Sequence, residues 1–140
     1  MIALAVAADA DALASLSGEL GYPSSSAQIA ARLAALPDDH RVWVARADGR
    51  VVGWIHAYVA RHVVLDPYVE IGGLVVGEGE RGRGIGPRLI DEACAWARSL
   101  GCDRVGVHSN VLRADAHRFY EREGFVLEKQ QGVFIRELVL

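Results

Sequence analysis

The chain has 140 residues, 51% of them hydrophobic and 24% charged, which supports one buried core and excludes a disordered chain. Its 15 basic and 18 acidic residues leave a formal charge of −3, against the basic face that phosphate neutralisation would need, so no nucleic-acid partner is expected. The longest apolar runs (Met1–Ala8, Val63–Leu65 and Leu74–Val76) fall far short of the roughly 20 residues of a membrane span, and no basic segment opens the chain, so neither a membrane partner nor a signal peptide is expected.

Taken in order, Ile2–Val6 reads as a short strand. Asp9 is placed to cap a helix through about Leu20, with Leu13, Leu16 and Leu20 on one face and Gly21 at its end. Ser25 and Gln28 form a capping-box pair for a second helix, buried through Ile29, Leu33 and Leu36 and closed by Pro37. Val42–Arg46 is a strand, Asp48-Gly49 supplies the positive φ of a tight hairpin, and Val51–Arg61 is the partner strand. On that partner Trp54, His56, Tyr58 and Ala60 share a face. Tyr68–Val76 is a third strand whose end, apolar on both faces, predicts a central position. A helix follows Pro87 to about Leu100 and stops at Gly101; Arg104–His108 is a strand. Arg113–Glu123 is a helix ended by Gly124, with Phe125 placed to fold back on it. Val133–Leu140 is a last strand, and Phe125–Glu128 is a candidate for another. Cys94 falls in a helix and Cys102 just beyond its end, too far apart for a disulfide, so a reduced, cytoplasmic chain is expected. The five histidines show no metal-ligand spacing, so no metal is expected.

Most of the chemical information lies between Gly77 and Pro87, a loop that leaves a strand and opens a helix. Glycines there let backbone amides approach a ligand closely, and a helix N-terminus favours phosphate. A Walker A loop is excluded because the only lysine is Lys129. Gly77-x-Gly79-x-x-Gly82 matches the dinucleotide fingerprint in letters, but its helix opens late and the acidic residue expected at the end of the next strand is missing, Asp103 instead starting that strand. The remaining reading is Arg81-x-x-Gly84-x-Gly86. It resembles the pyrophosphate signature of the GNAT superfamily of acetyl-CoA-dependent N-acetyltransferases. The resemblance extends to Glu70–Val76 before the loop, and to Asn110 and Ala116–Phe125 after it, in the family's order and spacing. Pro87 departs from the polar or basic residue more usual there.

The resemblance implies a mixed α+β fold in a single domain, residues 1–140, with a central six- to seven-stranded sheet, splayed parallel strands and about four helices. It further implies acetyl-CoA as cosubstrate, with the pantetheine arm along the backbone of Leu74, Val75 and Val76. The pyrophosphate would lie in the turn Arg81, Gly82, Arg83, Gly84, Ile85, Gly86 and Pro87, with Asn110 holding the arm from the other side and His117 beside the cofactor or simply packed. Tyr120 falls on the family's tyrosine and would act as acid toward the departing thiolate. Glu70 would be the base, direct or through water, that accepts the proton of a small-molecule or peptide amine. A bulge near Gly72-Gly73 would decide which face Glu70 takes. His56 and Tyr58 are candidates for the acceptor pocket, His108 is a backup base, and the three tryptophans read as core or interface residues. Dimerisation through late strands such as Phe134-Ile135 is an open expectation. A non-catalytic acyl-CoA-binding or sensing module, and more distantly a dinucleotide-dependent oxidoreductase, are the competing readings.

Overall fold

The computed structural model describes all 140 residues. They fall into two compact units, Met1–His108 and Ser109–Leu140. In the first, a five-stranded sheet runs in chain order: β1 (Ile2–Leu4), β2 (His40–Ala47), β3 (Arg50–Ala60), β4 (Tyr68–Val76) and β5 (Val105–Val107). The first four strands pair antiparallel, and β4 and β5 pair parallel. The hairpin between β2 and β3 turns on Asp48 (φ 53°) and Gly49 (φ 75°), two successive left-handed residues that match the twist of the flanking strands.

Helices α1 (Ala10–Leu20) and α2 (Ser26–Ala35) pack on the sheet face carrying Val42 and Val44, where Leu13 is buried and Ile29, Leu33 and Trp54 close around it. The capping box of α2 forms as its sequence predicts, Ser25 Oγ accepting from the Gln28 amide at 3.1 Å and Gln28 Oε1 from the Ser25 amide at 2.9 Å. Helix α3 (Ile85–Ser99) covers β2, β3 and β4 and buries Ile85, Leu89, Ile90, Ala93 and Ala97. Trp43 and Trp96 meet edge to face at 5.8 Å, and the Arg41 guanidinium stacks over Trp96.

Two expectations are corrected. Asp9 does not cap α1 with its side chain. It lies in a 3₁₀ turn, Ala7–Asp9, and its buried carboxylate accepts instead from the Val6 amide at 2.9 Å and from Arg46 at 2.7 Å. Its two oxygens are thus taken by an amide that precedes it and by a charged partner from β2, and the pair with Arg46 ties the first loop to the sheet. The sheet has five strands rather than six or seven, because Phe125–Glu128 and Val133–Leu140 form no strand. Both have strand composition, but a strand exists only where its backbone finds a ladder, and propensity cannot supply one. The last segment leaves Phe134 95% and Val139 102% exposed.

The second unit is built around α4 (Ala114–Arg122). Gly124 at φ 92° ends the helix, and the Phe125 amide returns to the Tyr120 carbonyl at 3.0 Å. Phe125 then folds back as anticipated, its ring meeting Tyr120 edge-on at 5.5 Å.

Candidate active site

The geometry of the site begins with an irregularity in β4. His56 pairs with Gly73 but its neighbour Ala57 pairs with Ile71, so Gly72 is an extra residue, a bulge. Side chains alternate along a strand, so one extra residue changes which ones share a face. Because of it Glu70 stands with Gly73 and Val75 beside the row Tyr58, His56 and Trp54 of β3, on the face covered by α1 and α2. The bulge is reserved for glycine by contact: a Cβ on Gly72 would lie 2.8 Å from His56 Nδ1, and one on Gly73 would lie 2.7 Å from the Trp54 ring.

Glu70 is only 3% exposed. Its pairing partner in β5 is Gly106, where a Cβ would stand 2.7 Å from Oε1. Oε2 is sealed from solvent without an aligned hydrogen bond, and His108 Nδ1 approaches it to 2.5 Å. Burial pushes the Glu70 carboxyl above the usual carboxylate range, against the opposing pull of His108 and His62. A carboxylate raised toward neutrality is suited to accept a proton from an amine. Beside it Tyr58 stacks on His40 at 5.0 Å, and His40 Nδ1 lies 2.9 Å from His56 Nε2. Burial, reinforced by His40, lowers the His56 pKa and favours the neutral ring.

Beyond Ile71 the parallel ladder with β5 stops, so Leu74, Val75 and Val76 pair with β3 alone and their other backbone edge is free of strand partners. An open edge of this kind accepts an extended ligand as an additional strand. At its end the chain turns through a short 3₁₀ segment, Glu78–Glu80, into the loop before α3. Gly82 (φ 82°) and Gly84 (φ 77°) are left-handed, and nothing lies within 4 Å of a Cβ built on either, so both are glycine for backbone conformation. Gly84 is the N-cap of α3, which opens at Ile85, two residues ahead of the expected start at Pro87. The amides of Ile85 and Gly86 therefore belong to the first turn, where helix amides lack intrahelical partners, and Pro87 costs no bond there. Arg83 pairs with Glu80 at 3.0 Å and Arg81 Nε reaches the Val76 carbonyl at 3.4 Å, which leaves both cations exposed at the loop.

In the second unit Tyr120 is half-buried between Phe119 and Phe125. Burial raises its hydroxyl pKa, with Arg113 pulling the other way, so the phenol keeps its proton through neutral pH. Asn110 is exposed, and its Oδ1 accepts from the Leu112 amide at 2.9 Å, forming the turn into α4. His117 Nε2 is buried without a partner.

Two residues of this arrangement were not picked out in the sequence, and a third was read only in part. Gly106 and His40 carry no motif, and their importance appears only through strand register. The Trp54 indole, read as a core or interface residue, has its Nε1–H buried with no acceptor. An unmade hydrogen bond of that kind costs free energy that a bound molecule can recover.

A mixed sheet with an open parallel junction, a glycine turn at a helix N-terminus and a buried carboxylate make up the candidate site. Residues 11–125 match the Acetyltransferase (GNAT) family, and the chain belongs to it. It is 36% identical over 111 residues to the aminoalkylphosphonate N-acetyltransferase of Salmonella typhimurium, which covers 79% of this chain and 71% of that one. Among solved structures it resembles an aminoglycoside 6′-N-acetyltransferase from Acinetobacter haemolyticus, with TM-score 0.86, 19% identity and 99% of each chain covered. It also resembles the aminoglycoside N-acetyltransferase AAC(6′)-Iy in complex with CoA, with TM-score 0.80, 22% identity and coverage of 99% of this chain and all of that one. These likenesses establish the fold, and the family establishes an acetyltransferase. No helix is long and apolar enough to cross a membrane.

Proposed function

We propose that residues 1–140 act as one acetyltransferase domain that moves the acetyl group of acetyl-CoA to a primary amine of a small molecule. The observation that carries this reading is the buried Glu70 carboxylate, aimed by the Gly72 bulge onto the face of β4 just upstream of the strand's open edge. Glu70, directly or through one water, takes the proton of the acceptor ammonium, and the free amine attacks the thioester carbonyl. The thioester supplies an activated acetyl group. The chain's part is to bind, orient and move protons. Backbone amides of Leu74–Val76 hold the pantetheine arm and polarise the carbonyl. The turn Arg81–Pro87 holds the pyrophosphate through its amides, with the charges of Arg81 and Arg83 beside it. Tyr120 donates its proton to the departing thiolate, and Asn110 and His117 line the cofactor's path. The name of the Salmonella relative supports a small acceptor over a peptide one.

The test is a panel of 2-aminoethylphosphonate, an aminoglycoside and a peptide with a free N-terminus, with thiol release as readout, beside thermal shift with CoA. Turnover on one of the small amines, lost in Tyr120→Phe at every pH below the tyrosine's titration, is the expected outcome. Turnover on the peptide alone would reassign the acceptor. Binding of CoA with no turnover on any amine would favour a sensing module instead.

Gly84→Val probes the loop. A β-branched residue in the left-handed region costs about 1–2 kcal/mol, so the turn should abandon its geometry. Acetyl-CoA affinity measured by calorimetry is expected to weaken about tenfold or more, with a lowered melting temperature.

A further inference from the structure

We propose that His108 is the positioning residue of Glu70, donating from Nδ1 to Oε2 so that Oε1 alone faces the incoming ammonium. This rests on the reading of Glu70 as the base. The geometry is that of a two-point clamp from one strand. Gly106, opposite Glu70 in the parallel register, leaves room for Oε1 and nothing larger, since a Cβ there would stand 2.7 Å away. Two residues on, on the same side of the chain, His108 Nδ1 comes within 2.5 Å of Oε2. That separation is a direct contact that is not yet an aligned hydrogen bond, and a turn of the exposed imidazole would bring its N–H onto Oε2.

The two partners differ in exposure. The Glu70 side chain is 4% exposed and its Oε2 is closed to water, whereas the His108 ring is 77% exposed. A buried carboxylate without a donor would favour its neutral form and lose its capacity as a base. The imidazole N–H supplies the hydrogen bond that water cannot. The other titratable and charged groups around Glu70 are Tyr58 from β3, His62 from the β3–β4 connection, Tyr68 from β4 and Arg104 ahead of β5, whose guanidinium lies over the Tyr68 ring. His108 is in direct contact with the carboxylate.

The test reads the titration of Glu70 without needing an acceptor. Glu70→Gln is made in the parent and in His108→Leu and His108→Asn backgrounds, and melting temperatures are recorded from pH 4 upward. A carboxyl whose pKa is raised on folding stabilises the fold below its unfolded pKa, and that stability is lost as pH rises through the folded pKa. The Gln variant does not titrate, so its advantage is absent in acid, grows with pH and levels off once Glu70 is ionised. In the His108→Leu background the advantage should be larger and level off at higher pH. His108→Asn, whose amide keeps a donor near the Nδ1 position, should bring the curve part of the way back. The same shift should appear in turnover as a loss of about tenfold or more at the acid end that shrinks toward alkaline pH.

Superimposed curves in the three backgrounds would overturn the proposal, as would the absence of any Gln advantage at any pH. A uniform loss of stability in His108→Leu with no change in the pH of levelling would assign a merely structural role and also overturn it. Failure of the base assignment is separable: it would appear as full turnover in Glu70→Gln, whatever the melting curves show.

Discussion

Replacing Glu70 by Gln is expected to lower kcat by about 10²–10⁴-fold, the usual contribution of a positioned general base, while acetyl-CoA affinity stays near that of the parent. The acceptor ammonium titrates near 10.4 in a lysine-like amine, so near neutral pH almost all of it must be deprotonated within the site. In the parent, kcat/KM should fall on acidification as Glu70 takes up its proton, with a midpoint above the ordinary carboxylate range because the group is buried. In the variant that limb disappears. Stability moves in the opposite direction from activity. At pH values where Glu70 is ionised, the neutral isostere removes a desolvated charge, so the variant should melt higher than the parent. A variant at once more stable and nearly inactive is a signature that misfolding cannot produce. Stopped-assay kinetics over the pH range, paired with melting curves, check both halves.

Leu89→Ala is expected to cost about 2–5 kcal/mol of stability. Leu89 is fully buried on the inner face of α3. It packs with Ile85 over Gly53, where a Cβ would lie 3.4 Å from Leu89, 3.3 Å from Ile85 and 3.0 Å from the Val75 carbonyl. This contact seats the first turn of α3 against the outer half of β4. Truncation therefore loosens the two elements proposed to hold the cofactor, and acetyl-CoA affinity should fall together with stability. Urea denaturation should show a lower midpoint with an unchanged slope. The pH dependence of any remaining turnover should match the parent, because Glu70 lies on the opposite face of the sheet.

What could be read from the sequence was what local chemistry decides. Ser25 and Gln28 sit three apart and satisfy each other wherever the chain goes, so their helix start was visible. Asp48-Gly49 and Gly124 mark left-handed turns for the same reason, and Phe125 returns to Tyr120 through a bond that spans five residues. The loop at Gly84 was visible because glycine there answers a backbone need. Asp9 misled, because the Arg46 that claims it is 37 residues away. The two late strands misled because alternating apolar residues describe a willingness to pair and not a partner. Within the site, Glu70 was legible as a candidate through its motif, while its direction was not. That depended on Gly72 being the unpaired residue against β3. The roles of Gly106 and His108 depend on a parallel register reached through a crossover helix, which no short-range pattern encodes.

The bulge at Gly72 has a consequence for how this chain can vary. A strand is read in steps of two, so β4 has a frame, and Gly72 is where that frame changes. Substitutions at Val69 or Ile71 alter packing but keep the frame. Loss or gain of one residue between Ile71 and Gly73 shifts it, and would turn the carboxylate away from its proposed clamp while leaving every residue of the motif present in the sequence. The length of this strand is therefore under tighter constraint than its composition. Descendants of this chain should tolerate apolar exchanges in β4 far more readily than a single insertion or deletion.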